Sequence, residues 1–130
     1  MLPYPDVFVV EDDTFERGKI AEWIDSAGLR AHTYRDTREF LSSEEQTSAG
    51  AIVIDMSKPG EIPTRSSRTS RSFRASGMTL PVIALAERGD VGAAVRAMRA
   101  GAIDVIEKPS DLQALIERIQ SCIDAAEDLS

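Results

Sequence analysis

This sequence predicts a doubly wound α/β fold, with five parallel strands in the order 2-1-3-4-5 covered by helices. Three observations lead there. Five short apolar runs punctuate the 130 residues, helical patterns fill the gaps between them, and three of the runs are near-continuous rather than alternating. Continuous runs mark strands buried on both faces, as in a parallel sheet covered by helices. Strands alternating with helices form a β-α repeat with right-handed crossovers. Five such units in this length match that strand order.

The first run is Val7-Phe8-Val9-Val10. The stretch from Thr14 to Ala27 follows as a helix with Ile20, Ile24 and Ala27 on one face, stopping at Gly28. Phe15 and Trp23 are expected to help pack it. The second run, Arg30-Ala31-His32-Thr33-Tyr34, is mixed and suits an edge strand; its histidine, the only one in the chain, reads as structural. A short helix from Thr37 to Ser42 would bury Phe40 and Leu41. The third run is Ala51-Ile52-Val53-Ile54. The segment from Gly60 to Gly77 then offers few apolar residues, mainly Ile62 and Phe73. Its serines and threonines are poor helix formers, and Arg65, Arg68, Arg71 and Arg74 drift round a helix instead of holding one stripe. A short or irregular third helix is expected there, read either as a basic patch for an anionic partner or as a degenerate solvent-exposed helix.

The fourth run is Pro81-Val82-Ile83-Ala84-Leu85. Asp90 can cap the next helix, whose Val91, Ala94, Val95 and Met98 fall at i, i+3, i+4 and i+7, and Gly101 is a typical stop. Ile103-Asp104-Val105-Ile106 is the fifth run. The last helix carries Leu112, Leu115, Ile116, Ile119 and Ile123 as its stripe, with Ser110 as a candidate cap and Cys122 as a packing residue.

Composition narrows the function classes. A chain that is 42% hydrophobic and 28% charged can bury a core of ordinary soluble kind, and its length fits one domain. The net charge of −7 argues against direct nucleic-acid binding, which needs a basic surface to displace counterions. No apolar run approaches the roughly 20 residues of a membrane span. The start, Met1-Leu2-Pro3-Tyr4-Pro5, lacks the pattern of a secretory signal. A lone cysteine excludes an internal disulfide and fits the cytoplasm.

In doubly wound folds, ligands sit beyond the carboxyl ends of the strands. Strand one ends in Glu11-Asp12-Asp13, strand three in Asp55, strand five in Glu107-Lys108-Pro109. Taken singly, each has a plain explanation: acids favour a helix N-terminus, aspartate suits a turn, and Lys-Pro is a common exit from a sheet. Together they converge on one edge, where the carboxylates would repel one another unless protonated or bound to a cation. Oxygen ligands of this kind suit Mg²⁺, which keeps several waters and needs few carboxylates. Lys108 could hold an anion beside it.

The segments Val9-Val10-Glu11-Asp12-Asp13, Ile52-Val53-Ile54-Asp55-Met56-Ser57-Lys58-Pro59, Pro81-Val82-Ile83-Ala84-Leu85 and Gly101-Ala102-Ile103-Asp104-Val105-Ile106-Glu107-Lys108-Pro109 resemble the receiver domains of bacterial two-component response regulators. The resemblance covers roughly residues 6 to 126. It implies one flavodoxin-like receiver domain over residues 1–130, with no output domain within them. Arg17 lies five positions after Asp12, a family spacing that assigns Glu11 and Asp12 to the acidic pair. The resemblance implies that Asp55 accepts a phosphoryl group from a sensor histidine kinase or phosphotransfer protein. Mg²⁺ would be held by Asp12, Asp55 and the Ser57 backbone carbonyl, with Glu11 acting through water. Lys108 would pair with the phosphoryl oxygens, on a cis peptide to Pro109. The chain would be a signalling phosphoacceptor rather than an enzyme acting on other molecules, with an output domain or partner protein downstream and a homodimer among the family's habits.

Three positions depart from the pattern. The family's Thr or Ser at the end of strand four is Ala86, which has no donor. The small residue that follows is here Glu87, and the aromatic of strand five is Val105. Acceptor and metal ligands remain while the relay that reads them is replaced, so activation is expected to be weak or unconventional. The rival is a pseudo-receiver, an interaction module indifferent to phosphorylation. A flavin binder on the same architecture would want a Ser/Thr/Gly-rich phosphate loop after strand one, where this chain has three acids.

Overall fold

The computed structural model describes residues 5–43, 50–57, 73, 77–78, 80–108 and 112–129. Five parallel strands form one sheet in the order β2-β1-β3-β4-β5. They are β1 (Asp6–Val10), β2 (Arg30–Tyr34), β3 (Gly50–Asp55), β4 (Val82–Glu87) and β5 (Asp104–Lys108). The helices are α1 (Thr14–Ser26), α2 (Thr37–Ser42), α3 (Val91–Ala100) and α4 (Leu112–Leu129). No helix among the described residues is long and apolar enough to cross a membrane.

Burial explains the continuous runs. β3 is buried at every position and sits mid-sheet, whereas the mixed β2 lies at the edge as its pattern predicted. Side chains alternate between two cores. Phe8, Ile52, Ile54 and Ala84 pack with Phe40 of α2 and with Ala93 and Ala97 of α3. Val7, Val9, Val53 and Ile83 pack with Ile20 and Ile24 of α1 and with Leu115 and Ile119 of α4. Each fully buried Ile or Phe among them stabilises the fold by roughly 1.5–3 kcal/mol. At the start of β3, Gly50 has φ 137° and lies against β1, where an added Cβ would run into the Asp6 carbonyl; only glycine fits there.

Helix ends follow sequence chemistry. Asp13, Asp36 and Asp90 each accept from the N–H three residues on, capping α1, α2 and α3. Gly101 closes α3 in the left-handed conformation. The Ser110 cap, the Lys108–Pro109 peptide and most of the expected third helix lie outside the described residues. From that last segment Phe73 is described: it is buried, and its N–H donates to the Ala100 carbonyl at 2.6 Å.

Two packing expectations need correction. α3 buries Ala93, Ala97 and Ala100, while Val91, Val95 and Met98 face outward. The helix has two apolar stripes about half a turn apart, and the small one lies on the sheet because alanines allow close approach to Ala84 and Ala86. Phe15 and Trp23 do not pack α1 inward either; they are 75% and 45% exposed. Ile20 and Ile24 take the inner face, and Phe15 stands on the opposite side of the helix.

Candidate functional site

The parallel register brings the ends of β1, β3, β4 and β5 to one edge, because Val10 pairs with Ile54, Asp55 with Leu85, and Glu87 with Lys108. Beyond them opens a cleft of about 360 Å³ whose lining includes Glu11, Asp13, Asp55, Ser57, Glu87 and Lys108.

Asp55 is buried at the end of β3. Its Oδ1 accepts from the Ser57 N–H at 2.9 Å and from the Ser57 hydroxyl at 2.6 Å; its Oδ2 accepts from Lys108 Nζ at 2.7 Å. Burial alone would raise the Asp55 pKa, but the bonds from Glu11, Lys108 and Ser57 prevail and hold it at about 2. Asp55 is therefore an ionised oxygen donor at neutral pH.

Glu11 is 1% exposed. Its N–H donates to the Tyr34 carbonyl at 3.0 Å and its own carbonyl accepts from Arg17 Nη1 at 2.8 Å, so backbone and α1 fix it from both sides. Oε1 receives no donor from another described residue and lies 3.8 Å from Lys108 Nζ. Burial first, then the hydrogen bond and charge of Asp55, push the Glu11 carboxyl up to about 8. At neutral pH the pair carries one shared proton rather than two negative charges. Lys108 is lowered by burial but raised more strongly by Asp55, Glu11 and Glu87, so it stays charged.

The expected site residues thus divide. Glu11, Asp55, Ser57 and Lys108 stand together. Asp12 is exposed and outside the cleft lining, where Asp13, the cap of α1, stands instead. No group of three or more His, Cys, Asp or Glu side chains converges as a metal cluster among the described residues. Ala86 is buried on β4, and Val105 is half-buried against the same core. Glu87 Oε1 lies 3.7 Å from Lys108 Nζ.

Two contributors escaped the sequence. The Ser57 hydroxyl grips Asp55, although only the Ser57 carbonyl was expected to matter; the signal was a serine two residues after an aspartate, the spacing of an Asx turn. The spacing of Arg17 from Asp12 does not by itself reveal its bond to the Glu11 carbonyl. Outside the site, His32 Nε2 meets Asp6 Oδ1 at 2.9 Å and its ring stacks on Phe8, a structural setting. Cys122 is buried, which raises its thiol pKa and leaves it to packing.

Known proteins share this fold. The family profile of the response regulator receiver domain matches residues 7–120. The transcriptional regulatory protein FixJ of Bradyrhizobium diazoefficiens is 31% identical over 93% of this chain and 58% of its own length. The C4-dicarboxylate transport transcriptional regulatory protein DctD of Pseudomonas aeruginosa is 31% identical over 91% of this chain and 25% of its own. Full-length FixJ from B. japonicum superposes with a TM-score of 0.77 at 31% identity, covering 95% of this chain and 59% of that one. The separate structure of FixJ-N has a TM-score of 0.75 at 28% identity and covers 95% of this chain and 96% of its own. The chain spans little more than half of one of these curated relatives and a quarter of the other. A match over nearly the whole sheet, on both sequence and backbone, leads to one conclusion: the chain belongs to the response regulator receiver domain family.

Proposed function

We propose that this domain accepts a phosphoryl group on Asp55 in two-component signal transduction, taking it from the phosphohistidine of a sensor histidine kinase or a phosphotransfer protein. The observation carrying this reading is the buried Asp55 carboxylate held ionised against Lys108 at 2.7 Å. An Asp55 oxygen attacks phosphorus, the O–P bond forms as the donor's N–P bond breaks, and the imidazole leaves and takes up a proton. Lys108 offsets the charge gathering on the phosphoryl oxygens. Ser57 holds Oδ1 through two donors and fixes the carboxylate's orientation, so positioning supplies much of the rate.

The pocket fits Mg²⁺. Two buried carboxylates sharing one proton, with Glu11 Oε1 receiving no donor among the described residues, can be satisfied by a divalent cation in place of that proton. Asp55 and the Ser57 carbonyl would hold it, with Glu11 through water; Asp12, exposed outside the cleft lining, would have to turn inward to join them. When bound, the ion supplies charge neutralisation for in-line transfer. The domain works in the cytoplasm, as a signalling phosphoacceptor that at most catalyses its own phosphorylation and dephosphorylation. It passes its state to an output domain or partner protein.

A second reading, an interaction module indifferent to phosphorylation, draws on Ala86 and Val105, whose side chains offer neither hydroxyl nor ring beside the pocket. Mass spectrometry after incubation with Mg²⁺ and acetyl phosphate separates the two. A mass gain of one phosphoryl group that disappears in Asp55→Asn supports the acceptor. No gain, or a gain that survives the substitution, overturns it.

A further inference from the structure

We propose that Glu87 competes with an incoming phosphoryl group for Lys108, and so shifts the pocket's preference from anion toward divalent cation. The inference rests on Asp55 being the acceptor and names a further positioning residue at that site.

The backbone at Glu87 is fixed. Its carbonyl accepts from the Asp90 N–H at 3.0 Å, the Gly89 N–H donates to Glu107 Oε2 at 2.7 Å, and Asp90 caps α3. The β4–β5 register then sets Glu87 directly beside Lys108. The side chain stands on the rim, 59% exposed, with Oε1 3.7 Å from Nζ. One ammonium with three donors thus faces Asp55 at 2.7 Å, Glu87 at 3.7 Å and Glu11 at 3.8 Å.

Phosphorylation adds nearly two negative charges at Asp55, and these need Lys108. Glu87 is a full negative charge at the mouth of the same cleft, so it opposes the new anion and draws on the same cation. The same charge attracts a divalent cation. One side chain therefore acts with opposite signs on the two ligands, which a purely structural role would not do. Rim exposure keeps the effect moderate, because solvent screens the charge.

The test uses the full chain, Glu87→Gln, which keeps shape and removes charge, and Glu87→Asp, which keeps charge. Mg²⁺ alone is titrated by calorimetry, and beryllofluoride, a phosphoryl mimic, is titrated at saturating Mg²⁺ by fluorine NMR. In Glu87→Gln, Mg²⁺ affinity should fall and beryllofluoride affinity should rise, each about three- to tenfold at low salt, with both differences shrinking as salt screens the charge. Glu87→Asp should stay close to the natural chain. Affinities moving in the same direction, or not moving, overturn the role of Glu87 alone. Failure of both the natural chain and Glu87→Gln to take up beryllofluoride overturns the acceptor reading along with it.

Discussion

The ends of β1, β3 and β5 lie beside the strip formed by the end of β4, the middle of β5 and α3, yet the two regions are built differently. In the first, the two buried acids are held in place: Asp55 by Ser57 and Lys108, Glu11 by Asp55 and, through its backbone, by Arg17. In the second, Ala86 and Val105, which the sequence suggests replace a hydroxyl and a ring, offer only apolar packing, Ala86 within the core and Val105 half-buried against it. On the proposed function, the side chains that would receive a phosphoryl group and the packing that would report it are therefore separable. They share a sheet but not a set of side chains, and loss of one leaves the other's geometry standing.

The largest expected effect lies in the tied region. The folded Glu11 holds its proton up to about pH 8, against 4.5 ordinarily. A raised pKa means the folded state binds that proton more tightly than the unfolded chain. The stability it contributes is present below about pH 4.5 and drains away as pH rises to about 8. Asp55 runs the other way: lowered from 3.8 to about 2, it contributes above about pH 4 and loses that contribution as pH falls through 2. Without divalent cations, the natural chain should lose stability between pH 5 and 8, on the order of the 1–3 kcal/mol for stranding a buried polar group. Glu11→Gln should be flat across that window and the more stable of the two at pH 8. Urea unfolding at several pH values measures this; parallel curves would show that Glu11 is ionised throughout.

The neighbouring strip yields a smaller expected effect. If Asp55 is the acceptor and a hydroxyl and a ring are what its relay needs, Ala86→Thr combined with Val105→Phe should strengthen that relay. One regained charge-assisted hydrogen bond at the low end of its range, about 1.5 kcal/mol, changes a conformational ratio roughly tenfold. Beryllofluoride should then shift amide resonances across the 87–90 loop and into α3 in the double variant, while shifts in the natural chain stay around the cleft. Equally wide shifts in the natural chain would mean that Ala86 and Val105 are no obstacle.

This division also marks how far the sequence could be read. Strand runs were legible because burial on both faces of a parallel sheet leaves no room for polar residues, and β3 is buried throughout. Asp55 and Lys108 were legible because strand ends are where doubly wound folds place chemistry. The proton shared by Glu11 and Asp55 was legible only as a general conflict among carboxylates. Its location depends on burial of Glu11 to 1% exposure, which residue spacing does not encode. The exposure of Asp12 was hidden for the same reason: adjacent acids in a loop look alike until the backbone turns one inward.

α3 shows the limit most sharply, and it carries the smallest expected effect. Hydrophobicity alone chooses Val91, Val95 and Met98 as the inner stripe, yet the sheet takes Ala93, Ala97 and Ala100. What decides is volume, since Ala84 and Ala86 beneath the helix, and Phe73 and Phe40 beside them, already fill that core. Val95→Lys should therefore change the unfolding free energy by less than about 0.5 kcal/mol, the ordinary range for a surface position. A charge placed on a true inner face would cost several times more, because it would be buried without a partner. Urea unfolding of Val95→Lys thus tests which stripe of α3 the fold uses, and a loss above about 2 kcal/mol would return the inner role to Val95.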